Sequence, residues 1–196
     1  RRTLRKHRFG LRINGDFVAY LNAHKVSAWG CNGLDGEMLH ARLRDEQLGL
    51  VGEVEEVNVK PIVSLVDQGY VVVIAPLAAG PASQPLNVNA DTVAGEVARA
   101  LRAEKLVLFT DVPGVLDAEG GVLPELTRTQ VERLLEDGTI RGGMIPKIQA
   151  CLRAMETVPR VHVLDGRVPH ALIRELFTRE GVGTMLTSET QEGARV

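Results

Sequence analysis

Three short stretches of this sequence combine polar side chains with backbone signals that are typical of ligand-binding loops. In the first, at 86–91, Asn87 and Asn89 alternate, so an extended backbone would place both amides on one face. Side-chain amides donate and accept hydrogen bonds, which suits a ligand with carboxylate and amide groups. Asp91 opens a predicted helix, and an equally good interpretation is that Asn89 or Asp91 only caps that helix.

The second stretch follows an apolar run at 106–110. Thr110 and Asp111 lie at the predicted strand end, where they could hold a ribose hydroxyl or an amino group. The alternative is a simple turn, because Pro113 and Gly114 form a strong turn pair.

The third stretch begins with Gly142 and Gly143, which lead into a predicted helix with Lys147 in its first turns. A helix N-terminus offers N–H groups and partial positive charge, so it favours phosphate. Lys147 opposes the helix dipole there and makes more sense beside an anion. The spacing is not that of a Walker A loop, and a surface lysine with a buried stem is the alternative.

These stretches are positioned by short β-branched runs that alternate with helical periods. Strands are predicted at 70–75, 106–110 and 161–164, and helices at 61–68, 91–102, 127–136, 144–155 and 169–177. Asn58 is the expected N-cap of the first of these helices, and 127–130 reads as a capping box. The pattern predicts an α/β fold with an open, mainly parallel sheet and helices on both faces.

The first 57 residues have a different pattern. Strands are predicted at 26–30, 38–42 and 49–57, with a hairpin connection at 33–36, which together indicate an antiparallel flap. Trp29 is expected to pack this flap. We expect residues 1–57 to belong to a substrate-binding part, 58–187 to form a nucleotide-binding α/β part, and 188–196 to be a frayed tail.

Composition narrows the class of protein further. The net charge of −2 gives no reason to expect nucleic acid, and no apolar run is long enough for a membrane span. The basic start is not a signal peptide, and we interpret it as a solvated helix face. Cys31 and Cys151 follow no metal-ligand spacing, so we predict free thiols, no metal site and a cytoplasmic location.

The motifs, taken in order, resemble those of N-acetylglutamate kinases, over about residues 12–187. The resemblance rests on Gly-Leu-Val-Gly-Glu-Val-Glu-Glu-Val-Asn (49–58), Leu-Asn-Val-Asn-Ala-Asp (86–91), Thr-Asp-Val-Pro-Gly-Val-Leu-Asp (110–117), Gly-Gly-Met-Ile-Pro-Lys (142–147), Asp-Gly-Arg-Val-Pro-His (165–170) and Gly-Val-Gly-Thr-Met (181–185). It implies phosphorylation of the side-chain carboxylate of N-acetyl-L-glutamate by ATP with Mg²⁺, in arginine biosynthesis.

The same resemblance implies roles for individual residues. Asn87 and Asn89 would contact acetylglutamate, Asp91 would organise catalytic lysines, and Lys147 would stabilise the transferring phosphoryl group. The implied nucleotide site comprises Thr110, Asp111, Val112, Pro113, Gly114, Val115, Leu116, Thr139, Ile140, Arg141 and Met144.

The resemblance also implies partners and regulation. A homo-oligomer is expected, with arginine as a feedback inhibitor bound by His170, Glu180 and Gly183. A surface charge is the alternative for Glu180, and His24, His40 and His162 are assigned no role.

One departure from the family is large. The family's Lys-x-Gly-Gly phosphate loop, a second glycine-rich loop and a substrate arginine do not occur in these 196 residues. We therefore expect this chain alone to be inactive or nearly so. Two other functions stay open: a kinase for carrier-bound aminoadipate or glutamate, and a non-catalytic module that binds nucleotide or arginine.

Overall fold

The computed structural model describes residues 2–178 and 181–188. The helices are α1 (Arg2–Ala23), α2 (Lys60–Asp67), α3 (Ala90–Leu101), α4 (Arg128–Glu136), α5 (Met144–Ala154) and α6 (Ala171–Phe177). The strands are β1 (Ala28–Asn32), β2 (Leu39–Leu43), β3 (Gly52–Val57), β4 (Val71–Ala75), β5 (Leu77–Ala79), β6 (Pro85–Asn87), β7 (Lys105–Thr110), β8 (Glu125–Thr127), β9 (Arg160–Asp165) and β10 (Thr184–Thr187).

The chain divides into two compact units, residues 1–93 and 94–196. Unit 1 contains two sheets: β1 pairs in parallel with β4, and a second sheet has the order β3-β2-β5-β6. Helix α1 lies against β1 and β4, and the side-chain amide of Asn14 donates to the carbonyl of Val73 at 2.8 Å. This helix lies outside the predicted elements, because Gly10 and Gly15 weaken its helical propensity.

The predicted hairpin at 33–36 is wrong. Strands β1 and β2 belong to different sheets, and the antiparallel hairpin joins β2 to β3. The backbone and side-chain amides of Asn32 donate to Asp35, while the backbone N–H of Gly33 donates to Leu77 of β5. These bonds turn the chain out of β1 before it can fold back onto that strand. Trp29 lies on β1, edge-on to Tyr70, and not on the β2–β3 hairpin.

Unit 2 contains one sheet of order β7-β9-β10-β8 among its described residues. Strands β7 and β9 are parallel, β9 and β10 antiparallel, and β10 and β8 parallel, so the sheet is mixed. Its core is formed by fully buried residues of the strands and of α4 and α5, among them Val131, Ile148, Val161, Val163 and Leu186.

The predicted α/β class, with open sheets and helices, is confirmed. The predicted strands at 70–75, 106–110 and 161–164 correspond to β4, β7 and β9, and the capping box of Thr127 and Gln130 forms at the start of α4. Asn58 is not the N-cap of α2, which is Val59; its side-chain oxygen instead accepts from the backbone of Lys60 at 3.2 Å.

No helix among the described residues is both long and apolar enough to cross a membrane.

Candidate functional site

One edge of the unit 2 sheet collects the ends of several strands. Thr110 at the end of β7 is paired with Asp165 at the end of the parallel strand β9. Because β10 runs the opposite way, it begins at this edge, where Thr184 is paired with Val163. Ligands of open α/β sheets bind outside the carboxyl ends of the strands, so this edge is the expected position of a site.

Lys147 approaches this edge from helix α5. Its side chain is 8% exposed, and Nζ donates to the carbonyl oxygen of Phe109 at 2.9 Å. The ammonium lies in the first turns of α5, where the helix dipole disfavours a positive charge. Burial and the dipole together favour an anion beside this lysine.

A cavity of about 510 Å³ opens beside Lys147, large enough for part of a nucleotide. It brings together six residues predicted for catalysis or nucleotide binding and two others. Its lining is Thr110, Asp111, Val112, Arg141, Met144 and Lys147, together with Phe109 and Gly143. Sequence reasoning missed Phe109, which is half-exposed although its neighbour Leu108 is buried.

The start of α5 differs in one respect from the prediction of free amides. The backbone N–H groups of Met144 and Ile145 donate to Arg141 and Gly142 at 3.3 and 3.2 Å, and Pro146 has no N–H. Gly142 has a φ of 58°, a conformation that favours glycine. The helix therefore contributes its dipole, its glycine turn and Lys147 to the cavity, rather than unpaired amides of its first turn.

The remaining predicted nucleotide residues lie on the two loops that border the cavity. Val115 and Ile140 are buried in the core, Gly114 is buried beside Val115, and Pro113 and Leu116 flank them. The backbone N–H of Thr139 donates to the carboxylate of Asp137. Hydrogen bonds from Thr139 lower the pKa of that carboxyl group.

A charged pair lies at the end of β9. The Arg167 guanidinium donates to both carboxylate oxygens of buried Asp165, at 2.9 and 2.8 Å. These bonds lower the pKa of Asp165 to about 2. The pKa of Arg167 is raised by Asp165 and, to a smaller extent, by Asp111 of the cavity. The Asp-Gly-Arg motif was part of the resemblance, but the pairing of Asp165 with Arg167 was not predicted.

Unit 1 contains Asn87 and Asn89, which were predicted to contact acetylglutamate, and Asp91, which was predicted to organise catalytic lysines. Asn87 ends strand β6, and Asn89 lies two residues further on, directly before α3. The side-chain oxygen of Asn89 accepts from the backbone N–H of Thr92 at 3.0 Å, which caps α3. Asp91 lies in the first turn of that helix and is partly buried.

The described residues of the C-terminal motif, His170 and Gly183, precede and follow α6. His170 precedes the helix in a left-handed conformation, with a φ of 60°. Gly183 is buried, and a Cβ there would lie 2.3 Å from the carbonyl oxygen of Val163. Glu180, the third residue of the predicted arginine site, lies outside the described residues.

His162, to which the sequence assigned no partner, is paired with Glu175. The two side chains are buried, and His162 Nδ1 lies 2.9 Å from Glu175 Oε1. The other carboxylate oxygen accepts the backbone N–H of Val182 at 2.7 Å. The hydrogen bond from His162 is the largest influence that lowers the pKa of Glu175.

Several solved structures share this fold. Solved structures with this fold include aspartokinase III of E. coli, at 19% identity and a TM-score of 0.66, and carbamate kinase of Giardia lamblia, at 13% and 0.64. Residues 1–165 match the model of the amino acid kinase family, and the chain belongs to that family.

Several relatives are more similar in sequence. The acetylglutamate kinases of Synechococcus sp. (strain RCC307) and Caldanaerobacter subterraneus are 44% and 45% identical, over 93% and 91% of this chain. The chain spans 63% and 62% of their lengths, less than two thirds. A structure of N-acetylglutamate synthase from Neisseria gonorrhoeae, complexed with coenzyme A and N-acetyl-glutamate, covers 94% of this chain with 26% identity and a TM-score of 0.81; the match spans 43% of that structure.

Proposed function

We propose that this chain provides the nucleotide site of a kinase that transfers the γ-phosphoryl group of ATP to the side-chain carboxylate of N-acetyl-L-glutamate. The product is N-acetylglutamyl phosphate, an intermediate of arginine biosynthesis. The observation that carries the proposal is the buried ammonium of Lys147 beside a cavity at the carboxyl end of β7. Relatives with 44% and 45% identity that are acetylglutamate kinases support the choice of substrate.

The chemistry requires little covalent participation from the protein. A γ-carboxylate with a pKa near ~4.3 is ionised at neutral pH, so no general base is needed. Transfer depends on aligning donor and acceptor and on neutralising the charge that the phosphoryl oxygens carry. Lys147 supplies a fixed positive charge that needs no reorganisation during the reaction.

Mg²⁺ enters this proposal as part of the substrate MgATP. Magnesium in phosphoryl-transfer sites is held mainly by phosphate oxygens and by one or two carboxylates. Asp111 is the carboxylate that lines the cavity, next to Thr110. No cluster of three histidine, cysteine or acidic side chains that could hold a metal ion occurs in the part of the chain that the structure describes.

We further propose that Asn87, Asn89 and Asp91 serve acetylglutamate and the catalytic charges. Side-chain amides complement both the acetamido group and a carboxylate. The capping bond uses the side-chain oxygen of Asn89, and the amide nitrogen of the same side chain is chemically suited to donate to a carboxylate.

The test is ATP-dependent formation of an acyl phosphate, trapped as a hydroxamate, by the protein of native length that carries this sequence. We expect hydroxamate with N-acetyl-L-glutamate and little with L-glutamate or with an aminoadipate held on a carrier. Preference for a carrier-bound acid would favour the second kinase function, and nucleotide binding without any acyl phosphate would favour a non-catalytic module.

Two partners form part of the proposal. One is arginine, bound at the C-terminal motif with His170 and Gly183; another structure of the N. gonorrhoeae synthase is complexed with coenzyme A and L-arginine and supports this choice. The other is a second copy of the chain. Inhibition of hydroxamate formation by arginine, and molar mass by light scattering, test the two separately.

A further inference from the structure

The loop that follows β7 crosses the whole edge of the unit 2 sheet. Strands β7 and β8 are consecutive in the chain but lie at opposite ends of the order β7-β9-β10-β8. Residues 111–124 must therefore pass the ends of β9 and β10, about 4.8 Å apart at each step. The first part of this loop, Asp111 and Val112, lines the cavity beside Lys147.

The middle of this crossing loop is fixed by one buried side chain. The backbone N–H of Val115 donates to Oγ1 of Thr184, the first residue of β10, at 2.8 Å. Both residues are fully buried. A Cβ on Gly114 would lie 2.6 Å from the same hydroxyl oxygen, so the loop backbone is seated directly on Thr184.

Each end of the loop is held by a backbone hydrogen bond to a neighbouring strand or turn. The carbonyl of Thr110 accepts from Gly166, and that of Pro124 accepts from Met185, each at 2.9 Å. The contact of Thr184 is thus the side-chain anchor between the two ends, three residues beyond the cavity residue Val112.

The position of Thr184 is itself fixed by contacts of the two residues that precede it. Two residues earlier, the backbone N–H of Val182 donates to Glu175, which is paired with buried His162. Gly183 packs with its α-carbon against the carbonyl of Val163, where no side chain would fit. The hydroxyl of Thr184 therefore has a fixed position, and its hydrogen bond to Val115 fixes the distance between the loop and the sheet.

We propose that Thr184 is a positioning residue for nucleotide binding: its hydroxyl fixes the crossing loop so that Asp111 and Val112 are presented to the cavity. Thr184 itself touches no ligand. This inference rests on the proposed nucleotide site. In chemical terms, nucleotide affinity depends on the hydrogen-bond acceptor at residue 184 and not on the volume of that side chain.

The chain offers a matched control on the same strand. Thr187 is also buried, at the other end of β10, and is paired with Arg160 and Thr127 away from the crossing loop. Thr184→Val and Thr187→Val delete the same hydroxyl at nearly constant volume. A role in general stability would make the two variants behave alike, whereas positioning of the loop would separate them.

The experiment is titration calorimetry with MgADP on the full chain and its variants, well below the melting temperature of each. We expect Thr184→Val to raise the MgADP Kd about tenfold, as expected for loss of a buried acceptor. Thr187→Val should leave the Kd within about twofold, and Thr184→Ser, which keeps the hydroxyl, should rescue it. Equal effects of the two valine variants on the Kd, with MgADP bound by the unmodified chain, would overturn the inference.

Gly114→Ala tests the same contact from the loop and decides the matter if Thr184→Val does not fold. Its added methyl group must displace the loop from the Thr184 hydroxyl, so weaker MgADP binding supports the inference and an unchanged Kd contradicts it. Absence of MgADP binding by the unmodified chain would instead remove the proposed nucleotide site, and the inference with it.

Discussion

The two units of this chain hold their candidate residues in different physical situations. In unit 2, Lys147 is a nearly buried cation at the unfavourable end of a helix dipole, beside a cavity. In unit 1, Asn89 is exposed and its side chain caps α3. Local structure accounts for Asn89, because capping is a common role for asparagine. Lys147 instead extends from its own helix to the carbonyl of Phe109 on β7, and burial of its charge carries a cost. A functional role is therefore better supported for a residue whose burial costs stability, such as Lys147, than for an exposed residue that caps a helix.

The largest loss of activity is expected for Lys147→Met, and it tests whether the buried lysine of unit 2 is functional. Methionine keeps the length of the side chain and removes the charge that stabilises the transferring phosphoryl group. We expect hydroxamate formation by the protein of native length to fall by about 10²- to 10³-fold. The melting temperature should also fall, because the carbonyl of Phe109 loses its hydrogen bond from Nζ.

Lys105→Met is the matched control, since Lys105 begins β7 and is partly buried at the other end of that strand. Activity of the Lys105 variant should stay within about twofold. Activity of the Lys147 variant within tenfold of the unmodified protein would show that its burial is only structural.

A hydrogen bond could be predicted from the sequence more readily when its two residues lie close together in the chain. The capping box of Thr127 and Gln130 joins residues only three positions apart, and it was predictable. The bonds of Val115 to Thr184 and of His162 to Glu175 join residues 69 and 13 positions apart. Neither pair has a periodic or short-range signal, since each depends on which strands become neighbours.

The error at residues 33–36 has the same origin. Glycine and aspartate correctly indicated a turn there, but a turn does not specify which strand its exit will join. Strand β1 finds its partner in β4, about 40 residues later, in a parallel pairing that needs a long connection. Local chemistry therefore predicted the elements of the candidate site better than their order in the sheets.

The second prediction concerns the stability of the unit 2 scaffold. Buried Glu96 accepts from Arg99 at 2.7 Å and pairs with Arg153 of α5 at 3.1 Å, so it joins α3 to the helix that carries Lys147. We expect Glu96→Gln to lower the free energy of unfolding by about 1–3 kcal/mol in urea, because two guanidinium groups lose their shared carboxylate.

Glu132→Gln provides the control for Glu96. Glu132 pairs with Arg128 at 3.3 Å on the surface of α4, so its loss should cost less than about 0.5 kcal/mol. Equal losses from the two variants would mean that burial of Glu96 adds nothing to the stability of unit 2.

The third prediction separates capping from substrate binding at Asn89. Asn89→Ala should lower the unfolding free energy by about 1 kcal/mol, whereas Asn89→Asp and Asn89→Ser keep a capping oxygen. If Asn89 also binds acetylglutamate, Asn89→Asp should raise the KM for acetylglutamate about tenfold, because the new carboxylate at residue 89 would repel that of the substrate. Normal KM values for Asn89→Asp and Asn89→Ser would leave Asn89 as a cap only.

The smallest expected effect is a pH dependence that Glu175 gives to unit 2. Its pKa is lowered in the folded state, chiefly by the hydrogen bond from His162, so it contributes stability above the unfolded value of 4.5. That contribution is lost as the pH falls through the folded pKa, which lies below 4.5. Glu175→Gln should therefore be less stable than the unmodified protein at pH 7, by about 1 kcal/mol or less, and this difference should disappear at acid pH.

Melting temperatures measured from pH 3 to 7, with Glu132→Gln as the surface control, give the comparison. A difference that persists unchanged at pH 3 would mean that the shape of Glu175, and not its charge, holds Val182 and thereby the start of β10 at Thr184.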